Sequence, residues 1–231
     1  MLNIEHLSKA YNVGKSNEVQ VLRDINIKIC RGDEVSIIGK SGSGKTTLLH
    51  IMALIDRFQG GDVQLDGKSV KNMSSKQLAM LRNTKIGLVL QDFALISEYT
   101  VMENVMLPVL FSKERLHEKK KYAEELLRQT GLFELRKQYA SQLSGGQKQR
   151  VAVCRALINS PDLILADEPT GSLDTQNGKD IISLLKSIRD EKKALVVITH
   201  DLDIAHSFQK QYLLENGVLE TVEINTSCSN T

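Results

Sequence analysis

One stretch constrains the surrounding fold more tightly than any other: Gly39-Lys40-Ser41-Gly42-Ser43-Gly44-Lys45-Thr46, followed by Thr47. It satisfies the pattern G-x-x-x-x-G-K-[ST] in full. The short apolar run Val35-Ser36-Ile37-Ile38 leads into it, and Thr46 to Ile55 reads as a helix leading out. Glycines spaced in this way let consecutive backbone N–H groups turn inward around a triphosphate. The helix that follows points its positive end at the same phosphates. Lys45 reaches the β- and γ-phosphates, and the Thr46 hydroxyl is placed for Mg²⁺. A nucleotide site between a strand and a helix is the expectation.

Two further motifs bear on that site. Leu163-Ile164-Leu165-Ala166 is an apolar strand ending in Asp167-Glu168. Both carboxylates then sit at the carboxyl end of a strand, the edge where open α/β sheets bind ligands. Asp167 is suited to hold Mg²⁺ through its water shell. Glu168, pointing elsewhere, is suited to take a proton from an attacking water. Upstream, Ser144-Gly145-Gly146-Gln147 opens a helix running to Ile158. Ser144 is its N-cap, and the glycines bare the amides of the first turn, which makes a second anion site. One helix start already serves this chain's phosphates, so the second is expected to serve those of another copy.

Around these motifs, Leu2, Ile4, Val19, Val21, Ile25, Ile27 and Ile29 alternate on period two, the mark of a half-buried antiparallel sheet turning at Tyr11 to Asn17. Gln59 to Asp62 reads as a turn into the strand Val63 to Leu65. Ile86 to Leu90 is an apolar strand ending at Gln91. The stretch 97–135 is mostly helical in pattern, and the charges of 113–125 read as a solvated helix face. Gly178 to Lys186 is a further helix and Ala194 to Thr199 a further buried strand. Alternating strands and helices imply an α/β fold with a parallel sheet. The antiparallel segment precedes it, and a helical insertion at about 97–150 interrupts it. One domain is expected over 1–222, with a polar tail at 223–231.

Composition excludes several classes. Lysine and arginine number 30 against 28 acids, which gives no general polyanion-binding surface, so nucleic acid is not expected as a partner. The three cysteines, Cys30, Cys154 and Cys228, are too few and too far apart for a disulfide framework or a zinc site. Two of them are expected in apolar strand or helix settings. The start Met1 to Glu5 lacks the basic region of a signal peptide. No apolar run approaches the ~20 residues of a membrane helix. A cytosolic chain that reaches a membrane through a partner is the expectation.

These motifs together resemble the ATP-binding cassette (ABC) family of ATPases over roughly residues 1–222. The resemblance implies a P-loop NTPase core and MgATP as the bound species. It also implies a signature motif, Leu143 to Gln147, that closes on the γ-phosphate of a second copy in a head-to-tail homodimer. Gln91 is similar to the residue linking Mg²⁺ and attacking water to a transmembrane permease, and His200 to the switch histidine at the γ-phosphate. Ser172-Leu173-Asp174 is similar to the loop that crosses the dimer interface, and Tyr11 to the aromatic that stacks on adenine. The chain would then sit on the cytoplasmic face of the cell membrane, held there by the permease. Ala166 to Asp174, Ser41 to Leu49 and Thr100 to Val105 resemble the branch of macrolide, lipoprotein-release and antimicrobial-peptide transporters. Lys148 in place of a frequent glutamine, and no extra aromatic ahead of Gln91, depart from the family pattern. Transport is the first reading; driving a non-transport membrane complex, in cell-wall regulation or antibiotic sensing, is the alternative.

Overall fold

The two apolar runs without a polar break become the centre of a sheet. In the computed structural model, which describes residues 1–112, 115–171, 173–188 and 192–222, they form β7 (Leu163–Asp167) and β8 (Ala194–Ile198), buried at every position. Period two divides each strand between two cores. Leu163 and Leu165 join Ala194, Val196 and Ile198 in one. Ile164 and Ala166 join Leu195 and Val197 in the other.

The six-stranded sheet runs β10-β9-β3-β8-β7-β6. β3 (Glu34–Ile38), β6 (Ile86–Val89), β7, β8 and β9 (Lys210–Glu215) are parallel, and β10 (Val218–Val222) pairs antiparallel with β9. The expected antiparallel segment is a second sheet, ordered β2-β1-β4-β5. It joins β1 (Leu2–Tyr11), β2 (Val19–Ile29), β4 (Gly60–Leu65) and β5 (Lys68–Ser69). Helix α1 (Lys45–Met52) shares a core with both sheets.

Behind the sheet's other face lie α3 (Val101–Met106), α4 (Leu116–Gln129), α5 (Gly145–Leu157) and α6 (Thr175–Ile188). The expected helical insertion is thus present, with a 3₁₀ turn at Leu107–Phe111 where Pro108 interrupts it. α2 (Ser75–Lys85) and α7 (Leu202–His206) complete the helices named here. No helix among the described residues is long and apolar enough to cross a membrane. The tail expected at 223–231, with Cys228, and Ser172 lie outside the described residues.

One expectation is corrected, and two elements were unforeseen. Gln59–Asp62 is no simple turn, because Gly60 already belongs to β4. Gly61, at φ 81°, sits where the β1–β4 register shifts between Glu5 and Ser8. This is a bulge, and a Cβ there would collide with the His6 carbonyl. α2 and the β9–β10 hairpin were not anticipated. Cys154 is buried, its thiol pushed up to about 12 by burial. Cys30, by contrast, is exposed just past β2.

Gly87 sets how closely α5 approaches the sheet: a Cβ on it would stand 2.5 Å from the Ala156 carbonyl oxygen. Gly87→Ala is expected to push α5 off β6 and to destabilise by about 1–3 kcal/mol, as overpacking does. Thermal unfolding should register this as a drop of roughly 2–4 °C per kcal/mol. An unchanged melting temperature would show that the helix has slack at this contact.

Candidate nucleotide-binding and hydrolysis site

The expected residues converge because each follows a neighbouring strand. The glycine-rich loop leaves β3, Asp167 ends β7, Gln91 lies just past β6, and His200 lies just past β8. β3, β8, β7 and β6 are adjacent in the sheet, so all four strands deliver to one edge. There a cleft of about 530 Å³ is lined by Ser41, Gly42, Gly44 to Thr47, Gln91, Asp167, Glu168 and His200, with Val21 from β2.

The loop's shape is set by glycine. Gly42 and Gly44 have φ of 79° and 103°, and Gly44 caps α1. Gly39 is needed for a different reason, since a Cβ would run into the Leu214 carbonyl oxygen. Lys45 Nζ donates to the Gly39 and Lys40 carbonyls at 2.7 and 3.0 Å, which holds the ammonium at the mouth of the loop. Ser43 Oγ is buried with no hydrogen-bond partner. A buried hydroxyl left unpaired costs about 1–3 kcal/mol, and Ser43 does not line the cleft. Lys40 differs: its side chain pairs with Glu215 at 3.2 Å, outside the cleft lining.

Asp167 is almost fully buried and shares a hydrogen bond with the Thr46 side chain. Burial first, and then the charge of Glu168, push its pKa above the ordinary carboxylate value. Glu168 occupies left-handed backbone at φ 44°. Its amide donates to the Ile198 carbonyl at 2.9 Å. Its Oε2 accepts from the His200 amide at 3.3 Å and lies 2.9 Å from His200 Nδ1. The resemblance implies a phosphate contact for His200; the structure pairs it with the Glu168 carboxylate.

Gln91 lies against the loop after Glu168, and a Cβ on Gly171 would stand 3.0 Å from its Nε2. Tyr11 stays just outside the cleft. Its hydroxyl donates to Asp56 at 3.0 Å and lies 3.5 Å from the Thr47 hydroxyl, while Lys9 sits over its ring.

Ser144 to Gln147 occupy a separate cleft of about 390 Å³ that shares no residue with the first. Ser144 caps α5 as expected, and Gln147 completes a capping box. Gln147 Oε1 accepts from the Ser144 amide at 2.9 Å. That oxygen closes the helix end.

Sequence reasoning missed two side chains of α5. Gln149 is fully buried, and its amide donates to the Pro169 carbonyl at 2.8 Å. Arg155 donates to the carbonyls of Phe93 and Ala94. A signal was present: Arg155 lies at helical spacing with the buried Val151 and Ile158, where a charge is out of place.

Comparison with known proteins settles the family. The chain matches the family described as ABC transporter over residues 22–171. It belongs to the ABC transporter family. It is 42% identical, over 93% of its length and 92% of the relative's, to an uncharacterized ABC transporter ATP-binding protein of Thermotoga maritima. It is 39% identical to the lipoprotein-releasing system ATP-binding protein LolD of Bordetella pertussis, over 95% of each chain. It is 40% identical to the macrolide export ATP-binding/permease protein MacB of Mannheimia succiniciproducens, covering 94% of this chain but 34% of that longer one. The dimeric, post-hydrolysis cassette MJ0796 bound to ADP and Pi superposes with a TM-score of 0.87 at 37% identity, over 97% of this chain and all of that one. The chain is an ABC ATPase, the ATP-binding subunit of a transporter.

Asp167→Asn tests the buried charge. A raised folded-state pKa makes the protonated form the favoured one. That favourable part is present below the unfolded pKa and lost as pH rises through the folded one. At neutral pH the ionised Asp167 therefore costs stability, and Asp167→Asn in metal-free buffer should melt higher than wild type. The gain should shrink as pH falls into the carboxylate range. A variant that melts lower at neutral pH would contradict this account.

Proposed function

We propose that two copies of the chain pair head to tail and hydrolyse ATP at two equivalent composite sites. The observation that carries this reading is the separation of the two anion-binding features. Lys45, Thr46 and the loop amides form one cleft, and Ser144, Gly145 and Gly146 form another on the same chain. A twofold arrangement sets each loop against the other copy's signature. The loop amides and Lys45 hold the β- and γ-phosphates, and the partner copy's capped helix end covers the γ-phosphate. Tyr11 stacks on adenine beside Thr47.

Water then attacks the γ-phosphorus, its proton passes to the Glu168 carboxylate, and ADP leaves. His200, with Nδ1 on Glu168, holds the base in place and, when both ring nitrogens carry a proton, would donate from Nε2 to the terminal phosphate. Gln91 orients the water. Little covalent chemistry is asked of the protein, so positioning and fixed dipoles supply the acceleration.

The Thr46 hydroxyl and the Asp167 carboxylate fit Mg²⁺. They are oxygen donors, and at the buried Asp167 carboxylate burial and the charge of Glu168 outweigh the opposing charges of His50 and Lys45, a balance that a divalent cation would redress. Gln91 completes the protein's share of that site. Bound there, the ion would neutralise charge between the β- and γ-phosphates.

A transmembrane permease is the proposed partner, which would place the chain on the cytoplasmic face of the membrane. A groove of about 550 Å³ lined by Met80, Leu88, Leu90, Phe111 and Arg155 offers the docking surface. Phe111 and Leu110 remain exposed beside it. The cargo proposed is a peptide, antibiotic or lipid-linked molecule, exported or extracted; the macrolide-export and lipoprotein-releasing names of two relatives support the last two classes over a non-transport role.

Glu168→Gln should keep ATP binding, accumulate the dimer and slow turnover by about 10²–10⁴-fold, the usual contribution of a general base. Phosphate release and size-exclusion chromatography measure the two effects; an unaltered rate would remove Glu168 from this role. Ser144→Arg should abolish the ATP-dependent dimer while the monomer still binds ATP. Normal dimerisation of that variant would defeat the proposed pairing.

A further inference from the structure

The docking groove and the nucleotide cleft stand back to back, divided by a single turn of chain. Leu90 lines the groove and the next residue, Gln91, lines the cleft. The turn continues through Phe93 and Ala94, both left-handed, with φ of 61° and 46°. Two successive residues with a Cβ do not hold that conformation unaided. Backbone bonds from Phe93 N to Leu90 O at 3.2 Å and from Ala94 N to Asp92 O at 2.7 Å close the turn.

Arg155 grips it from the groove side. Its Nη2 donates to the Phe93 carbonyl at 2.7 Å and its Nη1 to the Ala94 carbonyl. Asp92 supplies the opposing charge beside the largely buried guanidinium. The fork thus spans both strained peptides, a geometry for which a lysine lacks the second donor arm. Arg155 belongs to α5, the helix that begins at Ser144 and holds the Pro169 carbonyl through Gln149.

We propose that Arg155 is a positioning residue for hydrolysis, holding the 91–94 turn so that Gln91 is delivered into the cleft. It also makes that turn move with the signature helix. The proposal rests on the reading of Gln91 given above.

The test compares ATP turnover of wild type, Gln91→Ala, Arg155→Met, Arg155→Lys and the double variant Gln91→Ala/Arg155→Met. All are assayed with Mg²⁺ at a temperature where each remains folded. Arg155→Met should lower kcat about tenfold, the scale of a lost charged hydrogen bond, with KM for ATP within about twofold. Arg155→Lys should fall between. Added to Gln91→Ala, Arg155→Met should cause no further loss, because both remove the same delivered group. Wild-type kcat in Arg155→Met, or a fully additive loss in the double variant, overturns the proposal. Wild-type turnover in Gln91→Ala overturns the reading of Gln91, and the role of Arg155 with it. Should Arg155→Met fail to fold, Arg155→Lys and its double with Gln91→Ala carry the same comparison.

Discussion

β7 and β8 bear apolar side chains on both faces, and each face needs its own cover. One is covered by α1 and the antiparallel sheet, the other by α3 to α6. Once both faces are sealed, polar groups are left with the strand ends. There the chain places Gly39, Gln91, Asp167 and His200, each at or just past the end of an apolar strand. The chemistry is therefore held by the most rigid part of the molecule, although most of its side chains belong to loops.

The same rigidity sustains unfavourable local features. Asp167 is buried beside another carboxylate. Glu168 keeps a left-handed backbone, a state that costs of order 1–3 kcal/mol when a Cβ is present. Ser43 buries a hydroxyl with no partner. The first two lie in the proposed nucleotide cleft, where a cation would offset the paired negative charge. A site tuned for its ligand is in this sense less stable without it.

What the sequence disclosed follows from how local each signal is. The glycine loop, the strand-terminal Asp167-Glu168 pair and the Ser144 cap are contiguous, and their chemistry is readable from neighbours alone. β1 and β2 were legible from alternation along a half-buried sheet, and β3, β7 and β8 as short apolar runs buried almost throughout. α2 was missed because it is mostly polar and buries little beyond Leu78. Its capping box, Ser74 with Gln77, was nonetheless written in the sequence. The β9–β10 hairpin was also missed, although Asn216-Gly217, both left-handed, is a strong turn signal. The bonds of Arg155 to Phe93 and Ala94, and of Gln149 to Pro169, join residues far apart in the chain, so their partners are not legible locally even where Arg155 itself stands out on an apolar face.

Two separate clefts on one chain, each proposed to hold phosphate, have a consequence for kinetics in solution. If a complete site needs two copies, the specific activity of the free chain rises with its own concentration, until pairing saturates. Fixing two copies to one permease replaces that bulk concentration with an effective one, of millimolar order for short flexible tethers. The partner then governs the rate before it touches any catalytic residue, simply by keeping the two halves within reach.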